Sequence, residues 1–409
     1  MTAFKLPTDF NSVSVARWLT IFLMTALLFS PPLVNLFELT LFLMFICSDT
    51  LRKRLVLASS QPIVIATLAF YLMLFLSSTY SIASWSESLS TCWGWRKILL
   101  LPIAVALFDD ESWKYRMSFI FIQVTSACAI LSFTTNLFGI ALYRYPIGII
   151  IRNHATQGIM FSVAAFTAAI LLILEAKQFT TIQKWLLSAS IAVLTTNVIY
   201  ITPGRSGYLA LIVLGVTLAF TYMYSKRNFV VPALIILMIP ALLLSSPTVR
   251  QRITQGSNEA TAFENKSGDK GESTSMGLRM SLWSNTIELI QEHPFIGYGT
   301  GGFQIAYKNK VKQKPDWEQH MTHDPHNQFL KITAEHGVIG LLIFLGIILA
   351  AFRQKPTFIF YSLGVGVLLA WCGNSLFSSH FSTFSEGRFI FLWCGVMFAH
   401  ENLKREVNA

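Results

Sequence analysis

Apolar stretches of membrane-spanning length recur along this chain at 16–32, 34–50, 61–81, 90–108, 117–138, 156–175, 183–202, 207–224, 228–246, 328–352, 357–377 and 388–400. A helix needs about 20 apolar residues to cross the hydrocarbon core of a bilayer, so the last run is short for a span. The pattern predicts an all-α, polytopic integral membrane protein with about twelve transmembrane helices. An even number places both termini on one side. Only residues 247–325 break the pattern, being polar on the whole. A structureless segment of that length is unusual, so it is expected to hold short helices and to carry function. The chain therefore divides into nine helices over 1–246, a large loop over 247–325, and three helices with a tail over 326–409.

Basic residues choose the sides. Arg52, Lys53 and Arg54, Lys114 and Arg116, Lys177 and Lys184, Lys226 and Arg227, Arg353 and Lys355, and Lys404 and Arg405 share the side of the N-terminus. By the positive-inside rule that side is cytoplasmic. The opposite face carries few basic residues in its short loops: Arg144, Arg152, Arg205 and Arg388. The large loop falls on this outer, periplasmic face. Residues 17–32 open the chain without a small-residue cleavage site, which reads as a retained helix rather than a cleaved leader.

Within the loop, Gly256 to Ser275 has the composition of a mobile segment. From Met276 to Glu292, Leu278, Leu282, Trp283, Thr286, Leu289 and Ile290 line one side of an amphipathic helix, which His293-Pro294 should end. Pro294 to Phe303 is glycine-rich but joins no strand to a helix, so nucleotide binding is rejected for a tight turn or close backbone approach. Lys308, Lys310, Lys312 and Lys314 alternate and would share one face of an extended segment. They form either a solvated run or a patch for phosphorylated head groups.

Composition agrees with a membrane class: 53% of the 409 residues are hydrophobic and 13% charged, with mean hydropathy +0.54. The net charge of +10 orients helices, and its excess outside the cytoplasm suggests an anionic ligand or lipid head groups. No nucleic-acid partner is expected. The five cysteines show no paired or metal-type spacing, and four lie in apolar runs, so no disulfide framework is predicted.

Candidate chemistry concentrates at the outer face. Asp324 can cap a helix, Pro325 suits the first helical position, and His326 then falls in the first turn. The positive end of the helix dipole disfavours imidazolium there, leaving a neutral ring able to accept a proton. Arg205 lies in the turn Thr202-Pro203-Gly204-Arg205-Ser206-Gly207 and either reaches lipid phosphates or is held for an anionic ligand. Arg279 sits near a helix N-terminus, against the dipole, which suggests an anionic partner or a surface arginine. Arg96 and Lys97 occupy the end of an apolar run, where cations are costly enough to suggest function. His320, His323 and His326 recur every third residue, but Pro325 keeps them off one continuous helix, so no metal site is assigned. His336, a step before Gly337, is assigned to packing.

His326-Asn327, nine residues, then Gly337-Val-Ile-Gly340 resembles the signature of the bacterial O-antigen ligase and polymerase superfamily. The Arg205 turn, Gly277-Leu278-Arg279 with Trp283, and Pro294-x-x-Gly297-x-Gly299 also resemble that family's elements, in the same order. The turn departs from the usual Ser-Arg by reading Pro-Gly-Arg-Ser. The resemblance covers about 200–340 specifically and the remainder by hydropathy alone.

It implies a metal-independent, inverting glycosyltransferase of the bacterial inner membrane that uses no cofactor. A glycan on undecaprenyl diphosphate would move to a hydroxyl of an acceptor, in ligases the lipid A–core oligosaccharide. His326 would be the general base, and Arg205 and Arg279 would bind the diphosphate. Arg96 and Lys97 are further candidates for substrate binding. The superfamily's alternatives are O-antigen polymerases and protein O-oligosaccharyltransferases; the latter usually carry an added C-terminal region. A lipid-linked glycan transporter, from another class, would instead spread ionisable residues through midplane helices.

Overall fold

The computed structural model describes residues 11–142, 145–264, 275–312 and 322–400, and every regular element among them is helical. Arg144, His320, Lys314, Lys404 and Arg405 lie outside these residues, as do 265–274 of the segment expected to be mobile. The protein is a multi-pass helical membrane protein. Five helices are long and apolar enough to cross a membrane by length and composition, or up to seven if each of two bent pairs is one span. Ser12–Ala26, Pro62–Ser78 and Phe358–Asn374 are shorter apolar helices.

The other expected spans fall on helices shorter than this test requires, Phe384–Phe398 among them, or on runs that bend or break. The helices Pro31–Cys47 and Asp49–Ala58 meet at 96°. Ser48 between them takes an extended conformation and caps the second. Val230–Ser245 and the start of Pro247–Glu264 meet at 88°. Ser246 is extended there, as a residue before proline prefers, and Pro247 begins the next helix. That helix also replaces the first part of the segment expected to be mobile. The run 90–108 divides into Trp85–Trp95, a 3₁₀ turn at Arg96–Leu99, and Leu100–Leu107. Pro102 has no N–H to carry an α ladder back across that turn.

A buried ion cluster holds the end of this last helix. Asp109 is fully buried and meets Arg17 Nη2 at 2.6 Å and Arg54 Nη2 at 3.0 Å. The same guanidiniums donate to the terminal carbonyls of Leu107 (2.6 Å) and Ala106 (3.2 Å). Asp109→Ala would strand both cations in a buried setting. The expected cost is about 3–5 kcal/mol, read as a lower denaturation midpoint in micelles. A midpoint equal to that of the unsubstituted chain would contradict this account.

Three helices position the site. The arginine helix, Arg205–Lys226, packs against His154–Glu175, touching backbone to backbone at Gly158 and Gly207. The loop helix, Ser275–Glu292, matches the predicted amphipathic element and ends before His293-Pro294. The histidine helix, Gln328–Phe352, is one continuous element except at Gly337, whose φ 64° and ψ −169° break it.

The break explains two glycine motifs at once. Interrupting the helix frees the carbonyls of Ala334 and Glu335 and the amides of Val338 and Ile339. The glycine-rich turn supplies their partners: Tyr298 and Gly299 amides donate to Ala334 (3.0 Å) and Glu335 (2.7 Å), while Val338 and Ile339 amides donate to Pro294 (2.8 Å) and Phe295 (3.3 Å). Gly297, at φ 66°, brings the turn so close that a Cβ would lie 2.5 Å from the Ala334 oxygen. The close backbone approach expected of this turn is therefore what is found. His336 is buried, with Nδ1 3.0 Å from Ser77 Oγ, as its assignment to packing requires.

The described part of the lysine row is not extended. Lys308 and Lys310 lie in the helix Phe303–Val311, which buries Phe303, Ala306, Tyr307 and Val311. That helical spacing prevails over the period-two alternation, so the lysines do not share a face. Lys310 pairs with Glu288 (2.9 Å) and Glu292 (3.1 Å).

Candidate functional site

His326 is not in the first turn of its helix. Asn327 is the N-cap, its side-chain oxygen accepting from the amides of Phe329 (3.0 Å) and Leu330 (3.1 Å). His326 precedes it with φ 55°, a conformation uncommon for residues other than glycine and associated with functional sites. Asp324, expected to cap the helix, holds this corner instead. Its Oδ1 accepts from the His326 amide (2.8 Å) and from Ser379 Oγ (2.6 Å). Gln328 adds a second anchor: its amide donates to the Ser375 carbonyl (2.9 Å), and its Oε1 accepts from Ser382 N (3.1 Å) and Oγ (3.0 Å). The histidine is thus docked on the connection that follows Phe358–Asn374.

The imidazole is half-buried, and burial is the first reason its pKa falls below the ordinary histidine value. Arg279 and Lys331 lower it further, while Asp324 raises it. A neutral ring is the outcome expected from sequence, but burial and neighbouring cations produce it rather than a position inside the helix.

Arg205 is the first residue of the arginine helix, behind an uncapped Gly204. Its Nη2 lies 3.8 Å from Glu259 Oε2, and its side chain is one-third exposed. Arg279 sits in the second turn of the loop helix. Burial is the main cause of the depression of its pKa, followed by repulsion from Arg205; Glu259 opposes both. His326, Arg279 and Arg205 therefore share one electrostatic neighbourhood, although they lie on three separate elements.

Arg96 and Lys97 are placed differently. Arg96 Nε meets Glu38 Oε1 at 3.1 Å, and its guanidinium stacks 4.6 Å from the Trp93 ring. Glu38 is also bound by Arg388 Nε at 2.6 Å. Arg388 is therefore a buried helical residue of Phe384–Phe398, not the loop cation expected. Lys97 Nζ donates to the carbonyls of Ser382 and Thr383, the latter at 2.9 Å. Lys97 is within electrostatic reach of Lys331, which in turn acts on His326.

Sequence reasoning missed Glu259, Lys331 and His380. Glu259 lies in the stretch whose composition suggested mobility. His380 is buried, and neither ring nitrogen has a hydrogen-bond partner among the described residues. Burial lowers its pKa, against Glu386 and Asp324. It has no motif around it, and only its electrostatic interaction with Asp324 and Glu386 marks it out. His323 is exposed, and no group of three or more His, Cys, Asp or Glu among the described residues is placed to hold a metal.

The fold is that of a helical membrane protein in which two arginines and a half-buried histidine on three elements interact electrostatically. Residues 190–345 match the family model described as O-antigen ligase. That span takes in Arg205, the loop helix, the glycine turn, His326 and the Gly337 break. An uncharacterized protein of Haemophilus influenzae is 24% identical over 203 residues. The alignment covers 48% of this chain and 49% of that protein, so the chain spans about half the length of the relative it matches.

Proposed function

We propose that this protein is an O-antigen ligase of the bacterial inner membrane, with its site on the periplasmic face. It transfers a glycan from undecaprenyl diphosphate to a hydroxyl of the lipid A–core oligosaccharide, with inversion and without a metal. The observation that supports this reading is that His326, Arg279 and Arg205 interact electrostatically within the residues that match the O-antigen ligase family model. His326 accepts the proton of the acceptor hydroxyl as its oxygen attacks the anomeric carbon. The bond from that carbon to the diphosphate oxygen breaks, and undecaprenyl diphosphate leaves with the electron pair. Charge on the leaving oxygen grows along this path, so Arg205 and Arg279 stabilise the transition state more than the bound donor. Lys97, which interacts with Lys331, and its neighbour Arg96 are kept as further candidates for substrate binding.

Deleting the gene and separating the surface polysaccharide on a gel tests the reaction. Lipid A–core without its attached chain supports a ligase. A core bearing one repeat means a polymerase, and a glycoprotein that loses its sugar means an oligosaccharyltransferase. With purified protein, lipid-linked glycan and core acceptor, Arg279→Gln is expected to lower transfer by about 10²–10³-fold. Transfer within a factor of about two of wild type would remove Arg279 from the diphosphate site.

A further inference from the structure

Among the described residues, the non-glycine residues with positive φ are Arg152, Arg227 and His326. Arg227 is a helix C-cap, where the left-handed conformation terminates a helix, and His326 is the candidate base. Arg152 has neither explanation. It precedes Asn153, the N-cap of His154–Glu175, and holds φ 43°. For an arginine that conformation carries strain, which the surroundings must hold in place.

Those surroundings also tie Arg152 to the site. Gln157 Oε1 accepts from the amides of Ile150 (2.7 Å) and Ile151 (3.1 Å), while its Nε2 donates to Thr202 Oγ1 (3.1 Å). One buried glutamine thus pins the Arg152 loop to the Arg205 turn. On its other side the Arg152 guanidinium stacks 5.4 Å from the Phe384 ring. Phe384 follows the connection that binds Asp324 through Ser379. These contacts join the Arg152 loop to the Arg205 turn through Gln157 and to the connection holding Asp324 through Phe384, and Arg205 in turn meets Glu259. Arg152 Nη1 is buried and has no hydrogen-bond partner among the described residues. A buried, unpaired guanidinium N–H is costly, and a phosphate oxygen is the ligand that its planar fork suits.

We infer that Arg152 is a third guanidinium of the donor site and binds a phosphate oxygen of the lipid-linked diphosphate. This rests on the proposed function and adds a residue to it. A membrane phospholipid could offer the same oxygens, so the probe is undecaprenyl diphosphate and the medium is phospholipid-free detergent micelles. Glycine adopts positive φ without strain, so Arg152→Gly removes the side chain while fitting the backbone. The full-length Arg152→Gly protein is expected to bind undecaprenyl diphosphate about ten-fold or more weaker, the loss of one charge-assisted hydrogen bond. Its thermal midpoint should not fall below that of wild type. Wild-type affinity in micelles would overturn the inference, assigning Arg152 to phospholipid head groups. Weaker binding with a lower midpoint would overturn it too, by assigning Arg152 to packing. If Arg205→Gln loses binding and Arg152→Gly keeps it, this inference fails alone. If the wild-type chain does not bind the probe, the proposed function fails and takes the inference with it.

Discussion

His326→Ala is expected to cut glycan transfer by about 10²–10⁴-fold, the usual contribution of a positioned general base. Binding of the lipid-linked donor should change little, because the diphosphate is assigned to arginines on other elements. Removing the ring also leaves the corner intact: Asp324 holds residue 326 through its backbone amide, and Asn327 caps the helix by itself. The loss should therefore appear in kcat rather than in stability. Transfer at wild-type rate by purified His326→Ala would end the assignment.

The pH dependence follows from the same neighbours. The base works as neutral imidazole, so activity should persist as pH falls to the ordinary histidine range and decline only below it, because burial, Arg279 and Lys331 hold the His326 pKa down. Removing a nearby cation favours imidazolium. Arg279→Gln should thus move the acid limb of residual activity to higher pH. Asp324→Asn removes the anion that raises the pKa and should move the limb the other way. An acid limb unmoved by either substitution would mean that another group titrates in the rate profile.

Why the site was partly legible is visible in its local chemistry. The loop helix could be read because Leu282, Thr286 and Leu289 recur on one side and are buried, and because His293-Pro294 ends it. The cap was misplaced because Asp324-Pro325 and Asn327 are both good helix openings. Tertiary contact decides between them: Ser379 engages Asp324 in a turn, which leaves Asn327 to cap. No local rule reveals such a partner 55 residues away. The Lys308–Lys310 alternation misled for the opposite reason, since polar positions say less about an element than the apolar ones it buries. The bends at Ser48 and Ser246 were hidden because hydropathy records composition along a run and not its direction.

Gly337→Ala is expected to be among the most damaging single-methyl changes at the described residues. Glycine at φ 64° and ψ −169° occupies a region essentially closed to other residues. The added Cβ would stand 2.1 Å from the carbonyl carbon and oxygen of Phe295, which are backbone atoms and cannot rotate away. Conformational strain and overpacking together amount to about 2–6 kcal/mol, a large share of the roughly 5–15 kcal/mol that holds a folded protein together. Relief would require the turn 294–299 to withdraw from the helix, giving up its hydrogen bonds to Ala334, Glu335, Val338 and Ile339. That turn directly follows the loop helix carrying Arg279, and the helix it grips begins beside His326. Withdrawal would therefore separate the arginine from the base as well as loosen the fold. Gly346→Ala is the matched control: it lies in the same helix, and its Cβ would meet nothing within 4 Å. The control should be neutral or gain up to about 1 kcal/mol from helix propensity. The comparison is the thermal midpoint of each purified variant in micelles. Equal midpoints for Gly337→Ala and Gly346→Ala would show that the turn does not clasp the broken helix in solution.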